Sequence, residues 1–410
     1  MNSRERVMAA VHHKQPDRLP RDCGAMRSTG IMAIAYDRMK RYLDVTEGTT
    51  RVFDSVQQLA IPEEWYLDRF GLDAVDLSRA FATDDNDWVD WTLQDGTKVL
   101  FPAWLRFKEL GDGGWACVND DDVVIAEMPA SATYFSQKVF PLMGTLPASF
   151  DLLETWMDMS PWSYMTDPIW KNGSRPDFWE YFHDTAATFR EQRDRAIMLG
   201  FGGNLFEWGQ FLYRTDEFLV NLLTEPLVME RLLDALVEHH LSALDQVLEA
   251  AGPSIDIVQF GDDLGTQSAP MIDPALYHKM FYPRHKRMFE RVHDHGKSVF
   301  FHSCGAISDY IPDLIDAGVD ILNPVQIGAN GMNPNRLKTE FGKDICFWGG
   351  GIDTQHVLAV ADPATVKDHV RRNCEVFAKD GGFVFNQVHN ILANVPPQNV
   401  VAMYEAAAEF

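Results

Sequence analysis

Positive charge is what this 410-residue chain has least of: 36 Lys and Arg stand against 60 Asp and Glu, for a net charge of −24. That surplus repels nucleic acid and anionic membrane surfaces, so neither is expected as a partner. It also disfavours a polyanionic substrate unless a local basic pocket overrides the mean. Cysteine is scarce too. The five (Cys23, Cys117, Cys304, Cys346, Cys374) are odd in number and widely spread, which is no disulfide framework and suits a reducing compartment. No run of about 18 apolar residues occurs and no basic-then-apolar leader opens the chain, so a soluble cytoplasmic protein is expected. Nucleotide fingerprints are missing as well. No G-x-G-x-x-G follows the first strand candidate, and Gly349-Gly350-Gly351 lacks the Lys-Ser/Thr of a P-loop.

What is present is a regular alternation. At 46% hydrophobic, the chain can bury a large core. Short apolar runs at 196–201, 255–260, 297–301, 319–322, 345–348 and 382–385 alternate with helical patterns. Two earlier candidates, 21–24 and 72–77, bring the strand count to eight. Helical spacing is also read over 2–13, 31–44 and 48–60. Strand–helix alternation means a parallel sheet, and eight repeats predict closure into a (β/α)8 barrel spanning 1–410. Residues 84–140 differ. Trp88, Trp91, Trp115 and Val123-Val124-Ile125 alternate with Asp, Asn and Gly, predicting an inserted β-rich meander with tight turns. Asp120-Asp121-Asp122 lacks calcium-loop spacing and reads as one of those turns.

Active sites of such barrels form at the carboxyl ends of the strands. Reading just past each run gives Gly202-Gly203-Asn204 with Glu207, Gly261-Asp262-Asp263, His302-Ser303-Cys304, Asn323-Pro324-Val325-Gln326, Asp353, and Asn386-Gln387-Val388-His389-Asn390. Alternation along a strand puts His302 and Cys304 on one side. An imidazole and a thiol there are ligands for a soft metal, although a core cysteine beside a hydrogen-bonded histidine remains the alternative. His389 would complete an open three-ligand site, with Asp262, Asp263 or Glu207 as a further oxygen. Asp262 and Asp263 are the acid/base candidates; the other reading is a helix cap plus a metal-orienting carboxylate. Cys346 and Cys374 read as core. His12, His13, His239, His240, His293 and His295 read as solvated or capping residues.

With these residues in view, the chain resembles the uroporphyrinogen decarboxylase superfamily, and its methyltransferase-like branch more than the decarboxylase itself. The resemblance rests on NSRERVMAAVHHKQPDRLP, FGDDLGTQSAPMIDPALYHKMFYPRHKRMF, FFHSCGAISDYIPDLIDAGVDILNPVQ, FWGGGIDTQ and GGFVFNQVHNILANVPPQNV. The decarboxylase grips substrate carboxylates with two arginines in a Met-Arg-Gln-Ala-Gly-Arg motif and steers its pyrroles with an aspartate. Here residues 26–31 are Met-Arg-Ser-Thr-Gly-Ile, so Arg27 stands alone, and no counterpart of the aspartate is evident. Corrinoid-linked methyltransferases of the superfamily bind zinc through a His-x-Cys pair and a later cysteine. His302 and Cys304 match the pair, while His389 stands near where the later cysteine would fall.

The resemblance implies a zinc-dependent methyltransferase. It would pass a methyl group from a small methoxylated or N-methylated compound to cobalamin carried by a separate corrinoid protein, since no corrinoid-binding motif is present. Arg27, Asn204, Glu207, Gln326, Asp353 and Asn390 would line the pocket. The rivals are a carboxy-lyase acting on a smaller acid, with Arg27 on the carboxylate, and a non-catalytic binding protein with the same pocket. A homodimer is the default among soluble enzymes.

Overall fold

The computed structural model describes residues 1–165 and 168–410. Seven parallel strands form one curled sheet: β1 (Ala74–Asp76), β2 (Ala196–Gly202), β3 (Ile257–Gly261), β4 (Ser298–His302), β5 (Ile321–Asn323), β6 (Cys346–Trp348) and β7 (Phe383–Val384). Each pairs with its neighbour in sequence, from β1 at one edge to β7 at the other. Residues 20–22 bridge the two edges. Phe385 N donates to Pro20 O, Asp22 N donates to Phe385 O, and Asp73 N donates to Arg21 O, at 2.8, 2.9 and 2.8 Å. That short segment is the eighth staves' worth of backbone, and the barrel closes on it.

The strands are buried on both faces, which is why they read as unbroken apolar runs rather than alternating ones. Ala196, Met198, Ile257, Phe300, Ile321, Cys346, Trp348 and Val384 pack together inside the barrel. Their sequence neighbours Ile197, Val258, Val299, Phe301, Leu322 and Phe347 face the surrounding helices. The leading helix, Ser3–Val11, starts from Asn2 in a reciprocal capping box with Glu5. Its Val7, Ala10 and Val11 join the interior cluster. It lies at the amino ends of the strands: Gly382 N donates to Ala10 O and Arg4 N to Asp194 O. Arg6 and Arg18 both reach the buried Asp73 at 2.8 Å.

One expectation is corrected. Residues 48–60 are not helical but form the antiparallel pair Val52–Asp54 and Leu59–Ala60. Asp54 accepts from the Gln57 backbone at 3.0 Å, a side-chain turn that competes with helix. Residue 100 of the insertion then takes the Thr50 carbonyl. After β2 comes a helix, Phe206–Tyr213, which hydrophobic periodicity does not announce. The 84–140 stretch folds as the hairpin Trp88–Thr92 and Lys98–Pro102 followed by a four-stranded antiparallel sheet from Arg106 to Gln137. The Asp120–Asp122 turn is tied by Asn119 Oδ1, which accepts from Asp121 and Val123. No helix among the described residues is long and apolar enough to cross a membrane.

Candidate metal centre

Strand parity decides which side chains reach the mouth of the barrel. Phe300 points inward, so His302, two residues on at the end of β4, does too. The same count from Ile257 carries through Gln259 and Gly261 to Asp263, and leaves Asp262 on the opposite side. The cavity above the strands is about 360 Å³ and is lined by His302, His389, Asp263, Glu207, Asn204 and Arg27, among others. Tyr134 of the insertion, Trp162, Trp208 and Phe211 supply an aromatic wall. Trp162 stacks on Phe211 with centroids 5.5 Å apart.

Ligating atoms of His302, Cys304 and His389 all lie within 4.8 Å of one another. His302 is oriented by its neighbours. Asn323 Nδ2 donates to the Trp348 carbonyl at 2.7 Å, which turns the amide oxygen toward His302 Nδ1 at 2.6 Å. Nδ1 therefore carries the proton, and Nε2 offers its lone pair toward Cys304 Sγ, 3.4 Å away. The loop that carries Cys304 is pinned on every side. Cys304 N donates to Asp263 Oδ1 at 2.8 Å, Gly305 N to Gln326 Oε1 at 2.8 Å, and Leu264 N to Ser303 Oγ at 3.1 Å. Gly305 has φ +91, and a Cβ there would stand 2.3 Å from Gly265 O, so only glycine fits the turn. His389 sits at φ +63, and its Nδ1 accepts from Asn390 N at 2.8 Å. One imidazole in its ligating tautomer, one thiol and a second imidazole are a donor set that suits zinc.

Electrostatics sort the titratable groups. Burial, then Asp263 and Asp262, push the Glu207 carboxyl well above the carboxylate range, and its Oε2 accepts from Asn204 Nδ2 at 2.5 Å. Burial and the Asp263 carboxylate push the Cys304 thiol up. Burial, then His302, lower His389 to about 4.

The remaining predicted site residues fall into two groups. Arg27, Asn204 and Glu207 line the cavity; Arg27 Nε lies 3.9 Å from the buried Asp54. The others brace the walls from outside the lining. Asp262 accepts from the backbones of Glu207 and Leu205 at 2.9 and 3.0 Å and meets His285 Nε2 at 3.0 Å. It therefore holds the start of the Phe206–Tyr213 helix. Gln326 holds the Cys304 loop, Asp353 caps the turn at 354–358, and Asn390 accepts from Gly30 N at 2.7 Å while donating to Gln57. His239 and His240 correct the expectation of solvated histidines, because both line the cavity. His240 is buried, bonded to Asn204 O at 3.2 Å, and lowered to about 3 chiefly by burial. Its signal was the spacing Leu233, Leu236, Val237, His240, Leu244 on one helix face.

A uroporphyrinogen decarboxylase from Methylococcus capsulatus is 24% identical over 231 residues, 53% of this chain and 60% of that protein. The match thus spans less than two thirds of the relative's length. A methyltransferase from Methanosarcina mazei shares the fold at TM-score 0.58 and 14% identity, with 100% of this chain and 99% of that chain covered. The sequence model of the uroporphyrinogen decarboxylase (URO-D) family matches residues 172–410. That is more than half of the chain, and the protein belongs to the URO-D family.

Proposed function

We propose that this protein takes a methyl group from a small methoxylated or N-methylated compound and passes it to the cobalt of a separate corrinoid protein. Zinc would be held by His302 and Cys304, with His389 as the third ligand. The observation that carries this reading is the convergence of those three side chains beside an aromatic-walled cavity that His302 and His389 line. The fold shared with a methyltransferase supports it.

When bound, the metal supplies a Lewis acid that draws electron density from the heteroatom losing its methyl group. The chain's own groups do the rest. Asn323 keeps the His302 Nε2 lone pair aimed into the cavity. Glu207, whose carboxyl is pushed well above the carboxylate range by burial and its acidic neighbours, is placed to give a proton to the departing heteroatom as that atom takes the bonding pair. Asp262 fixes the helix that presents Glu207. Tyr134, Trp162 and Phe211 keep water from the reacting methyl group.

The test is methyl transfer to an added corrinoid protein from a panel of methoxylated and N-methylated donors. Chelator-stripped protein, His302→Ala and Cys304→Ala are expected to lose about one zinc per chain and at least ~100-fold in rate. Full-rate demethylation after zinc removal sinks the reading. A second reading, a carboxy-lyase, draws on Arg27 in the cavity wall. Carbon dioxide release from a small acid with no corrinoid present would favour it.

A further inference from the structure

We infer that Gln259 selects the substrate: its amide, buried yet unpaired, hydrogen-bonds an uncharged hydroxyl carried beside the methyl-bearing heteroatom. This rests on the cavity being the substrate site of the function proposed above, and it names the chemical class that site admits. Gln259 lies in the middle of β3, is 7% exposed and lines the cavity. Its inward direction follows from parity with Ile257, which packs inside the barrel. Among the described residues its side chain has no hydrogen-bond partner. Buried amides are ordinarily satisfied, and the other two in the wall spend their polar atoms on the protein. Asn204 donates to Glu207. Gln57 donates to Asp54 at 3.0 Å and accepts from Asn390 at 3.1 Å.

The neighbouring strand positions keep the Gln259 amide open. Gly200 on β2 pairs with Gln259 in register, so a side chain there would project beside it on the same face. A Cβ at Gly200 would stand 3.8 Å from Gln259 Oε1, and one at Gly261 would stand 3.3 Å from Nε2. Both glycines line the cavity. Glycine inside a strand weakens it and marks a place where a ligand comes close. Gly261 also locates that ligand, since the same Cβ would stand 3.4 Å from His302 Cβ. The amide and the His302 imidazole flank one gap, so a group held by Gln259 lies near the proposed metal.

An amide offers a donor and an acceptor side by side. A hydroxyl answers both, accepting from Nε2 and donating to Oε1. A methyl group in its place would leave both unpaired, the costly outcome in a buried site. A carboxylate would answer Nε2 alone and would meet Asp263, which lines the same cavity. Arg27, the cationic side chain of the lining, already lies 3.9 Å from the buried Asp54.

The experiment measures dissociation constants by titration calorimetry, with zinc supplied and no corrinoid present, for 2-methoxyphenol, 2-methoxytoluene and 2-methoxybenzoate. The three probes present the same flat ring to the aromatic wall and differ only in the group beside the methoxyl. The unaltered protein is expected to bind the phenol at least about tenfold more tightly than either of the others. Gln259→Met keeps an unbranched side chain of similar length and removes both polar atoms. It is expected to bring the phenol and toluene affinities within about twofold of each other, with zinc content and Tm unchanged. A preference that survives Gln259→Met overturns the inference, as does an unaltered protein that favours the toluene or the benzoate or binds none of the three. A protein that shows the preference but passes no methyl group to a corrinoid protein loses the proposed function alone, so the two failures are told apart.

Discussion

Asp22 sits at the closure of the barrel with no exposed surface, and burial pushes its carboxyl up to about 7 against the hydrogen bonds from Trp348, Thr29 and Ala25. A folded pKa above the unfolded one means that the native chain keeps a proton the unfolded chain gives up. Stability therefore falls as pH rises from about 4 to about 7. Asp22→Asn, which keeps the shape and carries no charge, is expected to gain Tm over the unaltered protein progressively between pH 4.5 and pH 8. The full shift is worth on the order of 4 kcal/mol. Thermal unfolding across that range checks it, and a Tm gap that stays flat with pH would contradict it. At this scale much of the site was legible. His302 and Cys304 follow from alternation alone, and counting from Ile257 separates Asp263 from Asp262. What alternation could not show is that Gln326, Asp353 and Asn390 spend their polar atoms on loop backbones. That depends on where distant loops land, not on local pattern.

Elements differed more in legibility than residues did. The parallel strands announce themselves because burial on both faces leaves no room for polar residues. The Phe206–Tyr213 helix did not, since FEWGQFLY is rich in aromatics and carries a glycine, all poor helix formers. It forms because Asp262 ties its first turn and because Gly209 lets Phe218 approach: a Cβ at Gly209 would lie 2.2 Å from that ring. Gly→Ala inside a helix ordinarily stabilises by about 1 kcal/mol. Gly209→Ala is expected to do the reverse, lowering Tm by several degrees, as differential scanning calorimetry would read. The 48–60 misreading has the same root, a buried side chain (Asp54) capturing backbone that periodicity assigned to a helix.

At the level of the whole molecule, the inserted sheet is part of the cavity and not an appendage. Tyr134 reaches the lining and packs beside Trp162, centroids 6.2 Å apart. Aromatic contacts of this kind contribute about 0.5–1.5 kcal/mol beyond their area. Trp162→Ala and Tyr134→Ala are each expected to raise KM for the methyl donor by about two- to tenfold with zinc content unchanged. Steady-state kinetics with metal analysis on the same samples would show it, and a loss of zinc instead would assign these rings to holding the metal site together.

The Ser3–Val11 helix has one more effect. Because it covers the amino end of the barrel, the cavity at the carboxyl ends of the strands is not reached through the barrel interior. Under the proposed methyl transfer, donor and corrinoid partner would approach from the same carboxyl-end face, so a spent donor would stand in the collector's path until it departs. Turnover in such an arrangement queues, and the demethylated product is expected to inhibit competitively against its own precursor.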